Sequence, residues 1–272
     1  MMWKKGLWLW LGFWMAGFFA SGVGGGEEAA CGQAPAADLR LRVMSYNIHH
    51  GEGTDGKVDL ERIAKIIRDA KVDLVALQEV DKVCRRSGKV DQAAELARLT
   101  EMEGRFFKAI DFEGGEYGQA ILSKSPLGEA KVHLLPGEPD REQRIAAFAE
   151  IEVSGRKLLF GTTHLHHQSE PFRERQAAEI NRVMKEAKLP ALLAGDLNAE
   201  PASSVLKILL QEWGLPQSPE KPLRTFSSSK PARQIDYILA RPAGQWTSGE
   251  QVVLDEPVAS DHLPLVIEWT LR

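Results

Sequence analysis

Alternating and periodic apolar side chains predict a succession of strands and helices along the chain. Residues 39–47 alternate apolar and polar positions, as a strand with one buried face does. Asp59 is suited to cap a helix whose Ile63 and Ile67 share an apolar face. The other strands are predicted at residues 73–80, 118–123, 146–153, 157–164, 191–196, 235–240, 251–254 and 265–270. The other helices are predicted at residues 91–102, 170–188 and 203–212.

The order of these elements predicts the fold class. Strands and helices follow one another without an internal repeat and without a break that would mark a second domain. We therefore expect an α/β domain over residues 38–272, with two β-sheets packed face to face and helices outside. A chain of 272 residues is of ordinary to large size for one such domain.

Residues 1–22 have the layout of a secretory signal peptide. Lys4 and Lys5 precede an apolar run over residues 7–20, and small residues follow it. The run is shorter than the roughly 20 residues that a membrane-spanning helix needs. We expect an exported protein, periplasmic or secreted, in which residues 23–37 form a linker. The alternative is that the leader stays on the chain as an N-terminal membrane anchor.

Charge and cysteine content limit the classes of function. Removal of residues 1–22 takes away two lysines and no acid, so the net charge falls from −4 to −6. Proteins that bind nucleic acid through many phosphate contacts usually present a basic surface, so nucleic acid is not the favoured partner. Cys31 and Cys84 are far apart in the sequence and lack the spacing of a thiolate zinc site. Export would permit a disulfide between them, and the sequence leaves that pairing open.

Side chains capable of acid–base or metal chemistry stand at or near the ends of the predicted strands. They are Asn47, Glu79, His164, Asp196, Asp236 and His262. Loops at the end of a rigid sheet are where catalytic groups collect. We therefore expect these six side chains to converge on one rim of the molecule.

Several of these residues also have a purely structural explanation. Asn47 could make a turn, and Asp196 with Asn198 could form an Asx turn after their strand. Glu79 ends an apolar strand and needs water, a partner or a cation, because burial of a lone charge is costly. Asp236 lies within a strand of large apolar residues and needs a hydrogen-bond donor, for which a histidine is well suited.

The Asp261–His262 pair and the histidines of the segment THLHH add further candidates. Side chains of adjacent residues diverge, so Asp261 could bind a cation while His262 moves a proton near neutral pH. His164 and His166 would share one face of a strand, but no further His or Cys completes a zinc site there. We expect His164 to act alone, with His166 and His167 in a solvated loop.

The candidate residues are rich in carboxylates and amides and poor in thiolates. Such oxygen ligands favour Mg²⁺, Mn²⁺ or Ca²⁺. The sequence contains no Walker-type phosphate loop and no Gly-x-Ser-x-Gly motif. Hydrolysis by water positioned at a metal ion is therefore favoured over a covalent serine mechanism.

Seven short segments together resemble the endonuclease/exonuclease/phosphatase superfamily. In chain order they are SYNIHHG, LQEVD, YGQAILSK, TTHL, GDLNAEP, QIDYIL and SDHLP. They extend from Ser45 to Pro264 and so cover nearly all of the predicted domain. The resemblance implies a four-layer α/β sandwich with two mixed β-sheets packed face to face and helices outside. It also implies a metal-dependent hydrolase that acts on phosphoester bonds.

The resemblance implies a metal site and a catalytic histidine. Glu79 is similar in position to the principal Mg²⁺ ligand of the superfamily, with Asn47 beside it and Asp261 contributing. Mn²⁺ is the alternative ion. His262 resembles the histidine that assists attack of water on phosphorus, and Asp236 resembles the acid that orients it.

The resemblance also implies groups that hold the substrate phosphate. Asp196 is similar to the acid that aligns or deprotonates the attacking water, and Asn198 to the amide that holds a phosphate oxygen. His164 resembles a second histidine that donates to the phosphate, and Arg144 a phosphate-contacting arginine. The resemblance leaves open which group is the general base.

These features lead us to expect an exported, Mg²⁺-dependent phosphoesterase. Its substrate is expected to be a phosphodiester or phosphomonoester of a small molecule or a lipid head group. A secreted endonuclease and a catalytically inactive binding module are the alternatives. We expect a monomer that meets a membrane only through an uncleaved leader or a lipid substrate. The sequence does not identify the ester.

Overall fold

The computed structural model describes residues 37–216 and 223–272. The expected signal peptide at residues 1–22, the expected linker up to residue 36 and Cys31 lie outside the described residues. None of the helices in the described part of the chain is long and apolar enough to cross a membrane.

Eleven strands and four α-helices form within the described residues. The strands are β1 (Leu39–Asn47), β2 (Leu74–Lys82), β3 (Glu103–Phe112), β4 (Gly115–Ser123), β5 (Leu127–Leu134), β6 (Ile145–Val153), β7 (Arg156–His164), β8 (Ala191–Asp196), β9 (Asp236–Arg241), β10 (Trp246–Val253) and β11 (Leu265–Leu271). The helices are α1 (Leu60–Asp69), α2 (Gln92–Thr100), α3 (Glu170–Met184) and α4 (Ser204–Leu209).

The strands form two mixed sheets. The six-stranded sheet has the order β10-β11-β1-β2-β4-β3, and the five-stranded sheet has the order β5-β6-β7-β8-β9. The pairs β1–β2 and β7–β8 are parallel, and all other pairs are antiparallel.

Three apolar clusters pack the layers against one another. One cluster lies between the two sheets and includes Val43 of β1 and Phe160 of β7. Successive side chains of a strand point to opposite faces, so Met44 instead packs with Ile63 of α1 on the outer side of its sheet. The third cluster lies between the five-stranded sheet and the helices α3 and α4, and it includes Ile180 of α3. The expected four-layer α/β sandwich is therefore confirmed.

Side-chain caps fix where the first helices begin. The Asp59 carboxylate accepts a hydrogen bond from the backbone N–H of Arg62 at 2.9 Å, as the sequence predicts for the start of α1. Asp91 caps α2 in the same way through the N–H of Ala94 at 3.1 Å. Helix α2 ends at Glu101, which adopts a left-handed conformation with φ of 56°.

Two strands escape prediction because they lie at the edges of the sheets. Strand β3 pairs only with β4, and β5 pairs only with β6. Neither is fully buried on either face, so their sequences lack a regular apolar alternation. Strand β10 begins at Trp246, earlier than the predicted residue 251. An irregularity in its pairing with β11, between Ser248 and Gln251, separates the missed first part from the predicted second part.

All three helices with predicted bounds are shorter in the structure, and α2 covers Gln92–Thr100 instead of residues 91–102. Helix α3 ends at Met184 rather than residue 188, and the N–H of Ala187 then closes a turn onto the Met184 carbonyl at 3.0 Å. Helix α4 ends at Leu209 rather than residue 212. Apolar periodicity continues past both ends, which is why the sequence alone extends the helices too far.

The strand register brings candidate residues together at one edge of the five-stranded sheet. His164 at the end of β7 is the register partner of Asp196 at the end of β8. Asp196 is in turn the register partner of Asp236, the first residue of β9. Three neighbouring strands therefore present an imidazole and two carboxylates in one row.

Candidate active site

The row at the edge of the five-stranded sheet is buried and polar. Asp196 is 1% exposed, and His164 and Asp236 are also buried. The His164 Nε2 atom lies 3.4 Å from Oδ2 of Asp196. A buried carboxylate is costly unless donors surround it, so the neighbours of Asp196 determine its state.

His262 completes this cluster from the loop that precedes β11. Its Nδ1 is hydrogen-bonded to Oδ2 of Asp236 at 3.0 Å, and its Nε2 lies 3.6 Å from Oδ2 of Asp196. The other carboxylate oxygen of Asp236 has no hydrogen-bond partner. The histidine donor that the sequence predicts for Asp236 is therefore in place.

Charge coupling sets the protonation of this cluster. Burial alone would lower the pKa of His262, but the carboxylates of Asp236 and Asp196 outweigh it and raise that pKa to about 10. Burial raises the pKa of Asp196 to about 7, with Asp236 adding to the rise and His262 opposing it. Burial, with Arg144 and His262, holds the pKa of His164 well below its usual range. A charged and a neutral imidazole therefore flank one carboxylate.

Asn47 connects this cluster to the six-stranded sheet. Its Nδ2 donates to Oε1 of Glu79 at 3.0 Å and to Oδ2 of Asp196 at 3.2 Å. Its Oδ1 accepts from the backbone N–H of His49 at 3.1 Å. The amide thus bridges two carboxylates that belong to different sheets. Its expected role as a metal ligand stays a prediction.

An irregularity in β2 sets the direction of the Glu79 side chain. The pairing of β2 with β4 shifts register between Gln78 and Val80, and Glu79 has a left-handed φ of 58°. This turns the side chain toward Asn47 rather than along the sheet face. Glu79 forms no ion pair with a Lys, Arg or His within the described residues. A half-buried carboxylate in such a position suits a bound cation.

Ser260 holds the loop that carries Asp261 and His262. Its buried hydroxyl donates to the backbone oxygen of Asn47 at 2.7 Å and accepts from the N–H of His262 at 3.2 Å. Asp261 Oδ1 lies 3.3 Å from the same hydroxyl. The Ser260 side chain therefore links this carboxylate to the backbone of Asn47. Sequence reasoning missed Ser260, although its position immediately before the Asp-His pair was a signal.

Asn198 combines a structural role with its place at the rim. Its backbone N–H donates to Oδ1 of Asp196 at 2.8 Å, which closes the Asx turn considered from sequence. Its side-chain amide donates to the carbonyl of Leu165 at 3.1 Å, and its φ is 49°. The turn therefore fixes the Asp196 carboxylate and places Asn198 beside it.

Arg144 lies near the cluster without touching it. Its guanidinium is buried and contacts Glu142 Oε1 at 3.3 Å and His167 Nδ1 at 3.3 Å. Its Nε has no hydrogen-bond partner. Arg144 and Asp261 are the two of the nine candidate residues that contact none of the others directly. The charge of Arg144 nevertheless lowers the pKa of His164.

The expectation that His166 lies in a solvated loop is wrong. His166 is buried, and its Nδ1 accepts from the N–H groups of Gln168 at 3.1 Å and Ser169 at 3.2 Å. It thereby supports the loop that begins α3, and His167, which is exposed, stacks on its ring at 5.4 Å. These two N–H groups occupy Nδ1 of His166, so this ring has a structural role in the loop.

Two histidines that sequence reasoning passed over lie beside Glu79. One ring nitrogen each from His49 and His50 and one carboxylate oxygen of Glu79 lie within 4.8 Å of one another. A pair of adjacent histidines directly after the strand-end Asn47 was the available signal.

The fold and the polar residues at the rim agree with the resemblance of the seven short segments to a known family. The comparison with family models gives the same result: the Endonuclease/Exonuclease/phosphatase family matches residues 44–262. The chain belongs to this family, whose members include metal-dependent hydrolases of phosphoester bonds.

Named relatives and solved structures are similar to this chain at modest identity. Nocturnin of Rattus norvegicus is 26% identical over 288 residues, which cover 85% of this chain and 66% of that protein. The chain thus spans just under two thirds of this relative's length. An endonuclease/exonuclease/phosphatase from Beutenbergia cavernae superposes with a TM-score of 0.71 at 25% identity, covering 85% of this chain and 72% of the other. A mannosyl-6-phosphatase from Bacteroides thetaiotaomicron shares the fold at a TM-score of 0.69 and 18% identity, covering 84% and 99%.

Replacement of Asp236 should change the protonation of His262. Asp236→Asn removes the carboxylate that does most to raise the pKa of this imidazole, so the His262 pKa should fall below the wild-type value. Titration of the imidazole signals by NMR in metal-free protein would measure it. Asp111→Asn, on the exposed side of β3, is the matched control and should leave the His262 pKa unchanged. An equal or higher His262 pKa in Asp236→Asn would contradict the coupling.

Proposed function

We propose that the chain is an exported, Mg²⁺-dependent phosphoesterase that hydrolyses a small or lipid head-group ester by water attack. The observation that carries this proposal is the set of contacts around Asp196. Its buried carboxylate lies 3.4 Å from His164 and 3.6 Å from His262, and it accepts a hydrogen bond from Asn47 at 3.2 Å. Such a cluster can bind a phosphate and move a proton at one place.

The donor atoms near Glu79 fit a Mg²⁺ ion. Glu79 offers a carboxylate oxygen beside the Asn47 amide, and Asp261 offers another beside Ser260, which is bonded to the backbone of Asn47. Glu79 forms no direct ion pair with Lys or Arg within the described residues. Hard oxygen donors of this kind suit Mg²⁺, with Mn²⁺ as the alternative. The ion would neutralise charge on the phosphate and help to position the attacking water.

Asp196 is suited to align the water and to accept its proton. Hydrogen bonds from Asn47 and from the Asn198 N–H hold both carboxylate oxygens in place. Its raised pKa of about 7 brings it close to neutral pH, where a carboxylate is an effective base. We assign the general-base role to Asp196 on this ground.

His262 is suited to act as a charged donor. Asp236 holds its Nδ1, which leaves Nε2 directed toward the cluster 3.6 Å from Asp196. An imidazolium in this place can donate to a phosphate oxygen while water attacks, and Asp236 acts by orienting the ring.

Three further groups can hold the phosphate. His164 Nε2 lies 3.4 Å from the same Asp196 oxygen that His262 approaches, and Asn198 stands at the end of the Asx turn. Arg144 supplies a buried positive charge close enough to lower the pKa of His164, and it contacts Glu142 and His167.

Charge and the N-terminal sequence support the choice of substrate and location. The net charge of −4, or −6 without residues 1–22, argues against a long nucleic-acid contact surface. The leader pattern supports export to the periplasm or beyond. We propose a monomer that approaches membranes through a lipid substrate or a retained leader.

Loss of either central side chain should abolish most of the activity. His262→Ala and Asp196→Ala should each lower kcat at least about 10²-fold, because each removes a group that acts on the water or the phosphate. His133→Ala is the matched control and should leave kcat unchanged, since the His133 side chain lies beside Phe148 and Met184 on the side of the sheet that α3 covers. Circular dichroism and Tm would show that each variant folds. Turnover close to wild type in both active-site variants would reject the assignment.

A panel of phosphoesters should show metal-dependent hydrolysis of a small or lipid head-group ester. The panel contains sugar phosphates, phospholipid head-group diesters and plasmid DNA, each assayed with Mg²⁺ and with EDTA. The protein is taken from the medium or periplasmic fraction of cells that produce the full chain, with His262→Ala as the blank.

Each outcome of the panel bears on one part of the proposal. Plasmid nicking without hydrolysis of the other esters would favour a secreted endonuclease, and absence of hydrolysis throughout would favour an inactive binding module. Full activity in EDTA would contradict the metal requirement. Absence of the chain from the exported fractions would contradict export.

A further inference from the structure

The loop after β1 turns two imidazole rings toward Glu79. His49 and His50 both have a left-handed φ of 45°, and Gly51 follows with φ of 78°. L-residues adopt this conformation rarely, and two in succession turn both side chains away from the course of the strand. The ring centroids of His49 and His50 lie 4.5 Å apart.

The two rings and Glu79 bring three ligand atoms together. One ring nitrogen of each histidine and one Glu79 carboxylate oxygen lie within 4.8 Å of one another. A metal ion bonded to these atoms at about 2.0–2.2 Å would need only a small closing of this triangle.

The remaining ring nitrogens face Glu52. Nδ1 of His49 is hydrogen-bonded to the Glu52 carbonyl oxygen at 3.2 Å, and Nε2 of His50 lies 3.5 Å from the Glu52 carboxylate. Histidines that bind metals usually donate their second ring N–H to a carbonyl or carboxylate, which fixes the tautomer and the ring orientation. Glu52 supplies both acceptors, so Nε2 of His49 and Nδ1 of His50 are the nitrogens left for an ion.

His50 has an unsatisfied nitrogen at this place. Its side chain is 8% exposed, and its Nδ1 is buried without a hydrogen-bond partner. A buried polar atom without a partner is rare in folded proteins. A bound cation would give this nitrogen a partner.

We propose that His49, His50 and Glu79 form a second cation position that takes a divalent transition-metal ion such as Zn²⁺ or Co²⁺. Imidazole nitrogens prefer such ions to Mg²⁺. Three protein ligands leave at least one coordination position open, as in zinc sites of the His₂Glu type. The position shares Glu79 with the proposed Mg²⁺ site, but binding of the ion does not depend on the hydrolytic assignment.

Titration of the metal-free full chain with Co²⁺ tests the proposal without an activity assay. Visible absorption of bound Co²⁺ reports imidazole coordination, and Zn²⁺ competition reports whether both ions use the same position. His50→Ala and His49→Ala should each weaken Co²⁺ binding at least about tenfold, since even loss of an outer partner costs 10- to 100-fold. His133→Ala and His262→Ala should bind Co²⁺ like the wild type.

The variants distinguish this position from the catalytic cluster. Wild-type Co²⁺ binding in both His49→Ala and His50→Ala, or no Co²⁺ binding in the wild type, would overturn the proposal. Loss of binding only in His262→Ala would move the ion to the Asp196, Asp236 and His262 group. Tm is measured for each variant. His49 is only half-buried, so His49→Ala decides the question if His50→Ala fails to fold.

Discussion

The structure depends on keeping the carboxylate of Asp196 buried between donors from two sheets. Within the five-stranded sheet the Asn198 N–H binds one of its oxygens at 2.8 Å. From the six-stranded sheet the Asn47 amide binds the other at 3.2 Å. Loss of either donor would leave a buried acceptor unsatisfied, which is costly. The two sheets must therefore meet in one register for the site to exist.

The apolar core between the sheets maintains that register. Val43 and Phe160 belong to the same buried cluster, and each lies four residues before the end of its strand, where Asn47 and His164 stand. Close packing of such side chains leaves little freedom for one sheet to slide over the other. Ser260 then attaches the loop of His262 to the backbone of Asn47, so the position of His262 depends on the same packing.

The sequence predicted the features that depend on local pattern. The bounds of β1 agree with its alternation, and Asp59 caps α1, because burial and capping act within a few residues. The convergence of Asn47, His164 and Asp196 followed from their positions at the ends of predicted strands. Edge strands β3 and β5 were missed because they bury too little to show a pattern.

The details that set the chemistry depend on tertiary contacts that no local pattern encodes. The bulge that turns Glu79, the hydroxyl of Ser260 and the burial of His166 all arise from neighbouring strands and loops. The left-handed backbone of His49 and His50 is another such detail. For the same reason Arg144, placed by resemblance, contacts Glu142 and His167 rather than the cluster around Asp196.

A crystal structure of the chain with Mg²⁺ and inorganic phosphate would show whether Asp196 can act on a water beside a bound phosphate. We expect a Mg²⁺ ion on Glu79 and a phosphate within hydrogen-bond distance of His262 and His164. We also expect a water between the phosphate and the Asp196 carboxylate. Phosphate bound elsewhere, with the contacts of Asp196 to Asn47 and Asn198 unchanged, would contradict a role for this carboxylate in water attack.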